Sequence, residues 1–416
     1  MNGPHDTIAS IECMGTSKSM AREILMDTPR PTPTRTPFVG TALGFRPFFL
    51  LAGLAALILV PPWLWAFAGH PLAVGAFDPL SWHRHEMLFG YTDAVVAGFL
   101  LTAVRNWTGL PTPTGWPLGG LALLWLAGRL APLAVPAWLA GLVDLAFLPA
   151  LAVALGRPLW RGQNRLNRLF VPLLLAMALA NGLVHAQLLG LAQTADAGIR
   201  MKLDLTLLLL TWIGGRVIPF FAGNAVPGAA PRRPRWLERG LYGLFLVYIP
   251  WHVLAPEQGV GGALSLALAA VQGLRLWNWH HPGIWRLPIL WVLFAAYAWL
   301  VLGFLLQGIA VWGLYPVDLA VHAFTLGGIG VLTLGMMSRV ALGHSGRPLA
   351  AAPATHAAYL ALNAAAVVRV LLPAALPAWY AAWVDLAGAL WVFAFALFLW
   401  VYAPILVTPR IDGRPG

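Results

Sequence analysis

The chain has 416 residues, of which 59% are hydrophobic and only 10% charged, and its mean hydropathy is +0.74. Soluble domains run at about 45–50% apolar and 25% charged residues, so this composition stands against a water-soluble globular protein and excludes disordered and collagen-like chains. A formal charge of +11 raises nucleic acid as a partner, while the lone Cys13 excludes an internal disulfide and any thiolate metal cluster.

Residues 1–44 differ from the rest. The stretch PRPTPTRTP, Pro29 to Pro37, predicts an extended, disordered cytoplasmic tail with no apolar core of a secretory signal. Apolar stretches then alternate with short Pro, Gly and Arg punctuation. A membrane-crossing helix needs about 20 mainly apolar residues, and twelve such runs can be drawn. They cover 46–67, 83–104, 116–133, 138–156, 167–191, 202–222, 237–255, 260–277, 287–311, 318–342, 354–373 and 379–404. Barrel strands are shorter and alternate polar with apolar, so the expected fold is all-α: a polytopic transmembrane helix bundle over 45–405, with 406–416 as a short cytoplasmic tail.

Basic residues gather in cytoplasmic loops. With both termini inside, most of the 26 Lys and Arg fall on the inner face. Only Arg84, Arg129, Arg200, Lys202 and Arg369 fall outside. The positive charge therefore marks membrane orientation and gives no support for nucleic-acid binding.

Ionisable groups inside spans are expensive and usually face a bundle interior. The second span opens with WHRHEMLFGYTDAVV, which contains His83, His85, Glu86 and Asp93. On a helix His83, Glu86, Gly90 and Asp93 share one face, whereas His85 points toward Phe89 and Thr92. The tenth span reads DLAVHAFTLGGIGVLTLGMMSRVALGHSGR. It places His322 near its outer end and a run of glycines below, which let helices approach or leave room for a flat macrocycle. His344 is about 33 Å further along at 1.5 Å per residue, at the cytoplasmic face. His185 falls in the outer third of the fifth span and His252 near the outer end of the seventh. Five histidines at one depth suit copper, iron or zinc or axial ligation of haem; interhelical hydrogen bonds are the plainer use. Arg46, Arg105, Arg216 and Arg339 all lie near inner span ends. They fit snorkelling cations, or bidentate partners of acids or haem propionates.

The pieces GFRPFFLLAG, HEMLFGYTDAVVAGFLLTAVRNWTG, GGRVIPFF and HAFTLGGIGVLTLGMMSRVALGHSGR, between residues 44 and 347, resemble the NnrS family of bacterial inner-membrane proteins. Arg105 departs from that pattern, which leads one to expect Pro before NWTG. The resemblance implies a haem- and copper-containing multi-pass protein of the bacterial inner membrane, linked to nitric oxide metabolism, denitrification and nitrosative stress. It assigns no ligands; depth and helical face do. They nominate His85 and His322 for the iron of a b-type haem, and His83, His185 and His252 for copper or a distal haem position. Glu86 and Asp93 are nominated for proton relay. Such a site would bind nitric oxide and either hold it or turn it over with an unidentified electron donor. Two other readings use the same residues. One is a carrier or channel for metal, haem or a small anion, although no repeat relates 45–222 to 236–404. The other is a non-catalytic haem or nitric oxide sensor.

Overall fold

The computed structural model describes residues 39–256 and 258–414. The tail expected over 1–44 therefore lies outside the described residues, except for its last few positions, which include a 3-10 turn at Val39–Thr41. Twelve helical spans follow: α1 Phe45–Phe67, α2 Pro79–Thr108, α3 Trp116–Ala134, α4 Ala137–Arg161, α5 Arg165–Leu188, α6 Ala195–Ala225, α7 Arg235–Leu254, α8 Gly259–Trp279, α9 Pro288–Ala310, α10 Val317–His344, α11 Pro353–Ala375 and α12 Pro377–Val407. Among the described residues there is no β-strand, only an isolated bridge between Val74 and Phe77. This is what lipid demands, because a helix satisfies its own backbone groups. Each expected run coincides with one helix. Eleven are long and apolar enough to cross a membrane. The other, α7, opens with Arg235, Glu238 and Arg239, which shortens its apolar part.

The two helices that carry the long histidine-containing motifs run through the middle of the bundle. The apolar stretch of α2 is 89% buried and that of α10 is 78%, against 28% for α3, which lies at the rim. Both central helices contain a π-helical segment, Glu86–Tyr91 in α2 and Ala323–Gly330 in α10, each beginning directly after a histidine. Such segments break the regular hydrogen-bond ladder and often mark functional sites. The glycines of α10 serve packing, not an open slot. A side chain at Gly327, Gly328 or Gly330 would collide with Trp299, Leu300 or Trp391, so no room for a macrocycle lies along that surface.

Two local features position the polar residues. Asp78 caps the start of α2, its Oδ1 accepting from the backbone N–H of Leu80 and Ser81 at 3.0 Å each, with Pro79 at the first helical position. Pro149 lacks the N–H that would bond the carbonyl of Leu145. Helix α4 accordingly breaks at Ala146, into Ala137–Leu145 and Phe147–Arg161, and Asp144 sits at the break. Beyond α12 the chain folds back on the end of α10, where Arg410 donates to the His344 carbonyl at 2.9 Å.

Candidate metal centre

Four helices meet around a buried polar cluster. Helix α2 contributes His85 and Glu86, α3 Arg129, α4 Asp144, and α5 Asn181 and His185; every one of them except Arg129 is below a tenth exposed as a whole residue, and the Arg129 side chain is 8% exposed. His185 Nε2 lies 2.9 Å from Asp144 Oδ2, and His85 Nε2 lies 3.2 Å from the same oxygen. Asn181 Nδ2 donates to Asp144 Oδ2 at 2.8 Å, which turns its Oδ1 toward His85 Nε2 at 3.0 Å. Arg129 bridges the two carboxylates, donating to Glu86 Oε1 at 2.8 Å and to Asp144 Oδ1. Glu86 Oε1 is also 3.1 Å from His85 Nδ1.

One donor atom each from His85, Asp144 and His185 lies within 4.8 Å of the others. Two imidazoles and a carboxylate form a nitrogen–oxygen donor set suited to copper or non-haem iron. Both ring nitrogens of His85 face acceptor oxygens, so a metal at Nε2 would take the place of a proton there. The carboxylate of Glu86 on Nδ1 is the kind of outer partner that fixes a ligating imidazole. Glu86 Oε2 is buried and has no hydrogen-bond partner among the described residues, leaving one acceptor open inside the cluster. The surroundings are tight. Phe89 stacks on His85 with centroids 5.0 Å apart and Phe77 packs at 4.9 Å, while Gly141 makes room for the His185 ring, since a Cβ there would come within 3.1 Å of its Nδ1.

The remaining nominated residues fall into other groups. His83 stacks on Trp63 at 4.6 Å, and its Nδ1 is buried with no hydrogen-bond partner among the described residues. His83 and His322 are electrostatic neighbours, with Arg84 and Arg369 close to both. His322 Nδ1 lies 2.6 Å from the Asp318 carbonyl of its own helix. His85 and His322, expected to share one iron, thus stand in different clusters. His83, His185 and His252, expected around one copper, stand in three. His252 Nδ1 is 2.8 Å from Asp204 Oδ2 and its ring stacks on Tyr248. Asp93 is paired with Lys202, both fully buried, and the Lys202 ammonium lies 5.1 Å from the Phe89 centroid.

Three of the four arginines, Arg46, Arg216 and Arg339, act on helix ends and aromatic faces. Arg46 Nη1 donates to the Leu406 and Thr408 carbonyls at 3.0 and 2.7 Å, closing the last turn of α12. Arg216 donates to Asn167 Oδ1 at 2.8 Å and lies 4.9 Å over Trp212. Arg339 sits 3.7 Å over Phe221. Helix α2 runs through Arg105, and the NWTG piece is its end, with Gly109 at φ +67° donating to the Arg105 carbonyl. Asp144, Arg129 and Asn181 carry the cluster and were not nominated from sequence. An acid between Val143 and Leu145 in an apolar run was the available signal for the first.

The family model described as NnrS protein matches residues 40–410. No curated protein matches the sequence. The match spans nearly the whole chain, including all twelve helices, and the chain belongs to the NnrS family.

Proposed function

We propose that this protein is a copper- and haem-containing protein of the bacterial inner membrane that binds and consumes nitric oxide in defence against nitrosative stress. The family connects the chain to nitric oxide. The observation that carries the proposal further is the buried pair of imidazoles on one carboxylate, His85 and His185 on Asp144. We assign copper to these three residues. Haem b we assign to the neighbouring histidines His83 and His322. The orphaned Nδ1 of His83 is a ligand atom without a protein partner, and the guanidiniums of Arg84 and Arg369 beside it suit propionates.

When bound, haem iron supplies a coordination position for nitric oxide and copper a redox-active Lewis acid. The chain's own residues hold and tune these positions. Asp144 orients both imidazoles, Glu86 fixes the ring of His85, and Arg129 offsets the two carboxylates. Glu86 Oε2, the unpartnered acceptor beside the centre, would pick up protons and pass them on to nitric oxide, whose reduction consumes one proton for each electron that an external donor delivers.

Metal analysis and a pyridine haemochrome assay on the detergent-purified full-length protein test this reading. His85→Ala and His185→Ala are expected to lose copper and keep haem, and His322→Ala the reverse. Nitric oxide uptake by the reduced protein at an electrode then separates an enzyme from a sensor. An active preparation without haem or metal would show a carrier instead.

A further inference from the structure

Below the two π-helical segments, α1, α2, α6 and α10 line a partly open recess of about 40 Å³ with an entirely apolar surface, its mouth at the half-buried Phe99, Leu210 and Val217. Thr92 and Val96 of α2, Leu209 and Ile213 of α6, and Thr333 and Met336 of α10 line it. The two threonines are its only hydroxyl-bearing walls, and both hydroxyls are engaged elsewhere. Thr92 Oγ1 donates to the Met87 carbonyl at 2.7 Å, and Thr333 Oγ1 bonds the Ile329 carbonyl at 2.7 Å and the Tyr91 hydroxyl at 2.6 Å. Met87 and Ile329 belong to the π segments. The irregular turns thus absorb the hydroxyls, and what the threonines add to the cavity surface is apolar.

A buried water needs two to four polar partners, and this cavity offers none. A site for one water-sized molecule needs on the order of 10–15 Å³, so the recess has room for a small molecule and is far too small for a cofactor. We propose that this cavity is a docking site for a small uncharged apolar gas. Its α2 wall runs from Thr92 to Leu100, about 10 to 22 Å along the helix from His85 at 1.5 Å per residue, near enough to hold such a molecule in reserve for the candidate centre. That the gas is nitric oxide rests on the function proposed above; the affinity for an apolar gas does not. Val96 lines the recess, and a larger residue there would fill it.

Xenon is the probe. Crystals of the full-length protein under xenon pressure are expected to show a xenon atom bounded by Val96, Leu209 and Met336. Val96→Phe is expected to abolish that site while haem and copper contents stay at the wild-type level. Ile213→Phe is the second filling variant, since Ile213 also lines the cavity. In both variants the geminate phase of nitric oxide rebinding after flash photolysis should shrink severalfold. No xenon in the wild type, or rebinding unchanged in both variants, overturns the proposal. Xenon uptake without any nitric oxide binding would leave the docking site standing and remove the proposed function instead.

Discussion

His85 and His185 direct their Nε2 atoms at the same oxygen, Asp144 Oδ2, from 3.2 and 2.9 Å, although they come from different helices. The break at Ala146 makes this possible by ending the first half of α4 at the carboxylate. The other oxygen of Asp144 is held by Arg129. Asp144→Asn therefore removes a ligand and leaves a buried guanidinium with half its compensation. Breaking one side of a buried ion pair costs about 3–5 kcal/mol, so the variant should lose bound metal and unfold at a lower temperature in detergent. Metal-to-protein ratio and thermal unfolding check the two effects separately. Normal metal content in Asp144→Asn would remove the carboxylate from the ligand set.

The Asp93–Lys202 pair gives a second, independent test. Both side chains are fully buried between α2 and α6. Lys202→Met strands a carboxylate and Asp93→Asn strands an ammonium, each at about 3–5 kcal/mol. The double variant removes both charges and should be less destabilised than the sum of the singles by more than 1 kcal/mol. Chemical unfolding of the four proteins measures the coupling. Additive effects would mean that the two groups do not form a pair in the membrane.

Much of this architecture was legible in the sequence, because lipid leaves a chain few options. Twelve apolar runs became twelve helices, and the polar opening of α2 and the glycine-rich α10 became the bundle centre. Four of the five basic residues that the sequence sorting left on the minority face also become intelligible. Lys202 pairs with Asp93, Arg129 with Glu86 and Asp144, Arg84 with Asp196, and Arg369 lies 3.9 Å from Asp318. These cations are held by carboxylates, so they do not read as free loop charges. Which histidines meet was not legible. Depth along a helix follows from counting, but the neighbour across the bundle depends on helix order, on the break at Ala146 and on π segments, which shift every side chain after them. Asp144 was hidden for that reason, since its partners lie on three other helices.

The entry to α2 is sensitive to acid. Partial burial raises the Asp78 carboxyl, but the Ser81 side chain and the N–H groups of Ser81 and Leu80 outweigh this and hold it below its ordinary value. With the folded value below the unfolded one, the cap contributes above the unfolded pKa and is lost as pH falls through the folded one. Asp78→Asn, which keeps an acceptor, should lose this acid dependence below about pH 4 with little change at neutral pH. Asp78→Ala should cost about 1 kcal/mol at neutral pH. Thermal unfolding at pH 3 and pH 7 compares them, and an identical acid response in wild type and Asp78→Asn would rule out the cap as its source.

Tyr91 and Thr333 join the two central helices through a hydroxyl pair at 2.6 Å, and the two ends of this bond are not equivalent. Thr333 also donates locally, to the Ile329 carbonyl, so Tyr91→Phe leaves its hydroxyl satisfied. Loss of one interhelical bond in a membrane then costs about 0.6 kcal/mol. Thr333→Val strands the buried Tyr91 hydroxyl with no second partner among the described residues, and an unsatisfied buried donor costs about 1–3 kcal/mol. It also exposes the Ile329 carbonyl inside a π segment. The expected order of stability is wild type, Tyr91→Phe, then Thr333→Val, read by unfolding in one detergent. If Tyr91→Phe were the worse of the two, the tyrosine hydroxyl would have to serve a partner other than Thr333, and the link between α2 and α10 would lie elsewhere.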